Sequence, residues 1–187
     1  MVKNHSANDR TFMQNQLPIA KLGDPVLRQI AQPVTKIANH DIQQLIDDLL
    51  STVVALDGVG IAAPQVHHSK RIFVVCSRPN VRYPDAPLMS PTVMINPRLV
   101  SVGEQQQKDW EGCLSVPALR GLVPRYNQIE VSYLDRHGQA HNRHYSGFVA
   151  RIFQHELDHL DGLTFVDRLE STKDLYSESE WARQFVT

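Results

Sequence analysis

Gly147-Phe148-Val149-Ala150-Arg151-Ile152-Phe153-Gln154-His155-Glu156-Leu157-Asp158-His159-Leu160-Asp161-Gly162 reads as one helix that stops at its closing glycine. Phe148, Ile152, His155 and His159 are spaced by three and four, so they share a face at about 3.6 residues per turn. Val149, Phe153, Leu157 and Leu160 cover the other sides. A helix apolar nearly all round is a buried one. Two histidines and a glutamate on such a helix must be paired or bound, because polar groups are costly to hold unsatisfied away from water.

His155-Glu156-Leu157-Asp158-His159 follows the H-E-x-x-H pattern. Histidines four apart on a helix point the same way and hold one metal ion, with the intervening glutamate beside the remaining coordination position. Two histidines hydrogen-bonded in a core by chance spacing are the competing reading, and the buried helical setting argues against it. A third ligand is required. The metzincin continuation would place it at Phe165, which cannot bind a metal, although Gly162 matches that pattern. A thermolysin-like arrangement would use Glu170, Glu178 or Glu180, none of which lies in a convincing buried helix. Cys113, in Glu111-Gly112-Cys113-Leu114-Ser115-Val116-Pro117, is the better candidate, because a cysteine beside glycine in a turn-like stretch can present its sulfur as a thiolate ligand. Cys113, His155 and His159 plus one water make an open, catalytic coordination sphere. Cys76 as a fourth ligand would close it, but Ile72-Phe73-Val74-Val75-Cys76 reads as a core strand, and a closed site leaves Glu156 without a task.

Outward from this centre, 187 residues suit one domain with a substantial core. Apolar content of 42% and charged content of 21% are those of a globular protein. A net charge of −1 shows no basic nucleic-acid footprint, and no stretch approaches the roughly 20 apolar residues of a membrane span. Two cysteines do not make a disulfide framework, and the N-terminal stretch has no apolar run of the signal-peptide kind, so a cytoplasmic location is expected. Of nine histidines, His5, His67, His68, His137, His141 and His144 sit in polar settings and read mostly as solvated surface. Asp24-Pro25 reads as a helix start, Asp41 to Asp57 as an amphipathic helix ended by Gly58, and Arg78 to Met89 as a loop. Strands are expected at Arg71 to Cys76, Thr92 to Ile95 and Gln128 to Leu134. Residues 1–16 are expected to form a mobile N-terminal arm, 17–170 the catalytic domain and 171–187 a C-terminal tail.

Three segments in order resemble those of peptide deformylases: Gly58-Val59-Gly60-Ile61-Ala62-Ala63-Pro64-Gln65, Glu111-Gly112-Cys113-Leu114-Ser115 and Gln154-His155-Glu156-Leu157-Asp158-His159. The likeness runs from about Leu17 to Leu169 and includes Arg120-Gly121-Leu122-Val123-Pro124-Arg125. It implies an α+β fold, with small, mostly antiparallel sheets packed around a central metal-binding helix. It implies Cys113, His155 and His159 as ligands, Glu156 as general acid/base, and Gln65 with the backbone N–H of Leu114 as donors to the formyl oxygen. The implied cofactor is one divalent metal ion, ferrous iron physiologically, with zinc, nickel or cobalt as alternatives. The implied substrate is the N-formyl-methionine that begins nascent polypeptides, formate is the product, and the ribosome is a further candidate partner. Arg151, one turn before His155, and Asp109, near the expected pocket rim, depart from the family's usual residues. The Arg151 stem is expected to line the pocket wall while its guanidinium reaches solvent.

Metal-activated water is expected to attack the formyl carbon while Glu156 takes its proton and later protonates the leaving amine. An extended peptide is expected to lie between Val59 and Gly60 on one side and Glu111 and Gly112 on the other, by strand addition. Val59, Phe148 and Ile152 are expected to receive the methionine side chain, with plain core as the competing reading of Phe148 and Ile152. Glu111 is expected to hydrogen-bond a neighbouring backbone or to pair with Arg125. Two rivals remain: a zinc endopeptidase, against which Phe165 and the cysteine segment argue, and a silent metal-binding module, against which Gln65 and Glu156 argue.

Overall fold

The structure is a computed structural model that describes residues 16–185, so all but the last residue of the expected N-terminal arm lies outside the described residues. A 3-10 turn at Pro25–Arg28 comes first, its N-terminus capped by Asp24 accepting from the Val26 N–H. Helix α1, His40–Ala55, begins where the Asn39 side chain accepts the Asp41 N–H at 2.8 Å. Its buried face carries Leu45, Ile46, Leu49, Thr52 and Val53. The residue that turns the chain at its end is Asp57, with φ of 51°, and not Gly58 as the sequence suggested. The Gly58 N–H reaches the Val53 carbonyl and the Asp57 N–H that of Val54, a Schellman closure in which a short polar side chain tolerates the left-handed position.

Two antiparallel sheets follow. The first contains β1 (Gly60–Ala62), β2 (Ile72–Val75), β3 (Thr92–Val102), β6 (Gln128–Leu134) and β7 (Ala140–Ser146), in the order β1-β2-β3-β6-β7. The second contains β4 (Gln106–Cys113), β5 (Val116–Tyr126) and β8 (Leu175–Ser177), in the order β4-β5-β8. Helix α2, Gly147–Leu160, joins them. β2 explains the layering. Its four residues are fully buried, because alternate side chains leave opposite faces. Ile72 and Val74 pack with Leu45, Ile46, Leu49 and Val53 of α1. Phe73 and Val75 pack with Ala150, Ile152, Phe153 and Leu160 of α2, and the rings of Phe73 and Phe153 meet edge-on at 5.3 Å. The first sheet is therefore covered by a helix on each side, and α2 is held between it and the second sheet.

Residues 171–185, expected as part of a C-terminal tail, carry a strand and a helix. β8 pairs with β5 through Leu119↔Ser177, Arg120↔Tyr176 and Gly121↔Leu175, and the final helix α3, Glu178–Phe185, buries Trp181. Strands β4 and β7 also lay beyond the sequence reading, because Gln106-Gln107-Lys108-Asp109 and Ala140-His141-Asn142-Arg143-His144 show no apolar alternation. Phe165, the position that a metzincin would fill with histidine, is fully buried against Val116 and Val123. A Cβ on Gly121 would lie 2.6 Å from the Phe165 ring. Gly121→Ala should therefore destabilise the protein by about 1–3 kcal/mol through overpacking, read as a lowered urea midpoint with an unchanged slope; an unchanged midpoint would show that Phe165 moves freely.

Candidate metal centre

Cys113 ends β4, just past a β-bulge between Glu111 and Cys113, so the sulfur is presented from a strand terminus and not from a free turn. His155 and His159 reach the same point from α2. Among the described residues these three form the one group of metal-ligating side chains, their ligand atoms all within 4.8 Å of one another. Cys113 Sγ lies 3.2 Å from His159 Nε2 and accepts the Ser115 N–H at 3.3 Å. Cys76 takes no part, being buried with α1 in the first core cluster, so the triad stays open.

Glu111 fixes the orientation of His155. Its Oε2 lies 2.8 Å from His155 Nδ1, which turns Nε2 toward the cysteine. The same carboxylate accepts from Arg125 Nε at 2.9 Å, Arg125 Nη2 at 3.0 Å and Arg151 Nη1 at 2.8 Å. Arg125 also donates to Asp158 Oδ2 at 2.6 Å, and Asp158 accepts from Arg168. Burial disfavours the Glu111 charge, but Arg125 and His155 outweigh it and hold the carboxyl well below the usual carboxylate range. The expected contact of Glu111 with Arg125 is present. Both Glu111 oxygens are engaged inward, so its side chain holds the cysteine strand, and only its backbone is left for the expected peptide contact.

Arg151 needs correction as well. Its guanidinium does not reach solvent: the side chain is buried and donates to Glu111, to the Val123 carbonyl at 2.8 Å and to the Gln107 carbonyl at 2.6 Å. It pins α2 to β4 and β5 of the second sheet. Asp109 does not line the cleft; its neighbour Trp110 does. The signal for these contacts was in the sequence, since Arg151 and Asp158 are charged residues on a helix that must be buried.

Burial raises the Glu156 carboxyl to about 7, against the opposing pull of His155 and His159. Its Oε2 is buried without a hydrogen-bond partner. Burial also disfavours the Cys113 thiolate, but the imidazoles of His159 and His155 hold it well below the usual thiol range. A thiolate and two imidazole nitrogens in reach of one another, beside an unsatisfied carboxylate oxygen, fit a divalent cation with a bound water. Gln65 is held from the other side: its Oε1 accepts the Ala62 N–H at 2.8 Å, leaving Nε2 to face Cys113 Sγ at 3.4 Å and Ser115 Oγ at 3.2 Å. A Cβ on Gly60 would fall 2.4 Å from Glu156 Oε1, so only glycine lets β1 pass the carboxylate at this distance.

A cleft opens over this centre. Val59, Gly60, Gln65, Glu111, Gly112, Cys113, Leu114, Phe148, Ile152, His155 and Glu156 line it, and His159 lies behind. Arg82, Tyr83 and Trp110 also line it, and the sequence reading had missed them.

The sequence model of the polypeptide deformylase family matches residues 16–175. Peptide deformylase 2 of a Nostoc species is 56% identical over 171 residues, covering 91% of this chain and 95% of the relative. Peptide deformylase 2 of Shewanella oneidensis is 47% identical, covering 81% and 83%. Among solved structures, a class I type b peptide deformylase from Acinetobacter baumannii with Met-Ala-Ser bound superposes with a TM-score of 0.82, at 46% identity, covering 84% of this chain and all of that one. The peptide deformylase of Thermotoga maritima gives a TM-score of 0.75 at 36% identity, covering 84% and 99%.

Glu111→Ala should lower metal affinity about 10–100-fold, because the hydrogen bond that orients a ligating histidine is lost. It should also cost about 3–5 kcal/mol of stability by leaving Arg151 as a buried charge without its carboxylate and Arg125 with Asp158 alone. Competition with a metal buffer and urea denaturation read the two effects separately; unchanged affinity would show that α2 alone orients His155.

Proposed function

The chain belongs to the peptide deformylase family, metal-dependent enzymes, and on that footing we propose that it hydrolyses the N-formyl group from the formyl-methionine of nascent polypeptides. The observation that carries this reading is the buried, unpartnered Glu156 Oε2 in the cleft that holds the open Cys113, His155 and His159 triad, with the Gln65 amide against Cys113. A site built for structure alone needs neither Glu156 nor Gln65.

Cys113, His155 and His159 would hold the cation, which when bound would supply a nucleophile from water at neutral pH and polarise the carbonyl. The sulfur and nitrogen donors suit ferrous iron, the expected physiological metal, as well as zinc, nickel and cobalt. Glu156, with its carboxyl near neutrality, is matched to accept a proton from water and return it to the departing amine. Gln65 Nε2 is aimed into the site because its Oε1 is already committed to Ala62, so the donor that lies against Cys113 Sγ is placed to meet a developing oxyanion. The Leu114 N–H is the second donor in this reading. The turn that carries it is braced by Lys21 Nζ donating to the Leu114 carbonyl at 2.9 Å and by the Leu22 N–H donating to that of Ser115.

The two strands bordering the cleft are both sheet edges: β1 pairs only with β2, and β4 only with β5. An extended peptide laid between them would use backbone groups of Val59 and Gly60 on one side and of Glu111 and Gly112 on the other, which explains tolerance of sequence beyond the first residue. Val59, Phe148 and Ile152 then receive the methionine side chain. A nascent chain as substrate supports a cytoplasmic location and an encounter at the ribosome. No helix among the described residues is long and apolar enough to cross a membrane.

Formate release from a formyl-methionyl tripeptide tests the reaction. Protein loaded anaerobically with ferrous iron should release it rapidly, and Glu156→Ala should retain the metal and lose turnover. Near-normal rates in that variant would remove Glu156 from the chemistry. Gln65→Ala should lower kcat by about 10²–10³-fold, the usual result of losing one oxyanion donor. Val59→Asp should raise KM with little change in kcat; an unchanged KM would place Val59 outside the pocket.

A further inference from the structure

Arg120 on β5 is one of the largest fully buried side chains, although it carries a full charge and stands at the back of the substrate cleft. A Cβ on Gly112 would lie 2.4 Å from Arg120 Nη1, so the guanidinium rests directly against the backbone of a cleft-lining residue. Its partners come from two distant segments. Nη2 donates to Glu178 Oε1 at 2.7 Å, and the indole of Trp181 lies 4.7 Å away under the cation, both from α3. Nη1 donates to the Tyr83 hydroxyl at 3.1 Å, in the loop of residues 78–91. Among the described residues Glu178 is the one carboxylate within ion-pair distance of this buried charge.

Tyr83 lines the cleft, and its ring centroid lies 4.9 Å from that of Phe148, a wall of the side-chain pocket. The backbone of its loop is tied elsewhere: Asn80 Oδ1 accepts the N–H groups of Arg82 and Tyr83, and Arg82 donates to the carbonyls of Leu56 and Asp57 at the end of α1. Those ties leave the ring free to tilt about its own side-chain bonds. The Arg120 hydrogen bond is what fixes its outer end.

We propose that α3, through Glu178 and Trp181, holds Arg120 so that Tyr83 closes one wall of the pocket that selects the first side chain of the substrate. Arg120, Glu178 and Trp181 are positioning residues and Tyr83 is the specificity-determining one. All of α3 lies beyond residue 175, where the match to the family ends, whereas Arg120 and Tyr83 lie within it. The inference rests on the reading of a formyl-methionyl peptide as substrate.

The test compares wild-type protein, Glu178→Ala, Glu178→Asp and Tyr83→Phe, each loaded with ferrous iron. KM and kcat are measured for formyl-methionyl and formyl-alanyl tripeptides, and affinity for the deformylated methionyl tripeptide by calorimetry. Glu178→Ala should raise KM for the methionyl substrate about tenfold, the scale of one charge-assisted hydrogen bond, and weaken the product peptide alike. It should leave kcat and metal content unchanged and narrow the preference for methionine over alanine. Tyr83→Phe should reproduce the change, and Glu178→Asp should recover part of the wild-type preference. Unchanged KM and preference in Glu178→Ala, with active wild type, would overturn the proposal. So would a loss shared equally by kcat, thermal midpoint and both substrates, which is the mark of a merely structural contact. A metal-loaded wild type that releases no formate would overturn the substrate reading itself, and this proposal with it.

Discussion

Glu111 carries a negative charge with 3% of its surface exposed, and four donors from two elements converge on its carboxylate. Removing such a charge from water costs several kcal/mol, and charge-assisted hydrogen bonds with good geometry are what offset it. Because the donors are Arg125 of β5 and Arg151 and His155 of α2, the carboxylate can be satisfied only when β4, β5 and α2 meet in one arrangement. Cys113 lies two residues along β4 from Glu111. The interaction that neutralises a buried charge is therefore the one that brings a strand-borne sulfur to helix-borne imidazoles.

The two sheets do different work around that point. The first is stiff because β2 is buried on both faces and packs α1 and α2 at once. It fixes where α2 runs. The second is small and depends on Phe165 beneath it and on β8 at its far edge. Each sheet leaves one edge strand at the cleft, and the metal centre sits where the two edges and α2 come together. An edge strand is ordinarily a hazard for unwanted pairing. Here Gly60 of β1 and the bulge of β4 lie on those edges, beside the cleft proposed to receive a peptide backbone.

Arg120 repeats the logic of Glu111 at the outer wall. A buried charge is held by one carboxylate and an indole of α3, and its remaining hydrogen bond is spent on Tyr83. The chemical centre and the pocket wall thus use the same device, a buried ion whose partners come from segments far apart in sequence. The centre's partners lie within the family's matched region, and the wall's partners lie mostly after it.

The sequence by itself determined α2, the candidate ligands Cys113, His155 and His159, and the family resemblance, which in turn pointed to Gln65. Local spacing reports which side chains share a helix face, and a polar residue on an apolar helix declares that something binds it. Arg151 and Asp158 made the same declaration, but the identity of their partners is not a local property. Only the tertiary structure decided that the Arg151 guanidinium turns inward to Glu111, that Asp57 and not Gly58 closes α1, and that residues 171–185 complete a sheet. β4 and β7 were illegible because their exposed faces are polar and their apolar alternation is broken, so pairing partners rather than their own composition make them strands. Tyr83 sits in a proline-rich loop with no periodicity at all, and its place on the pocket wall is set by Arg120, 37 residues away along the chain.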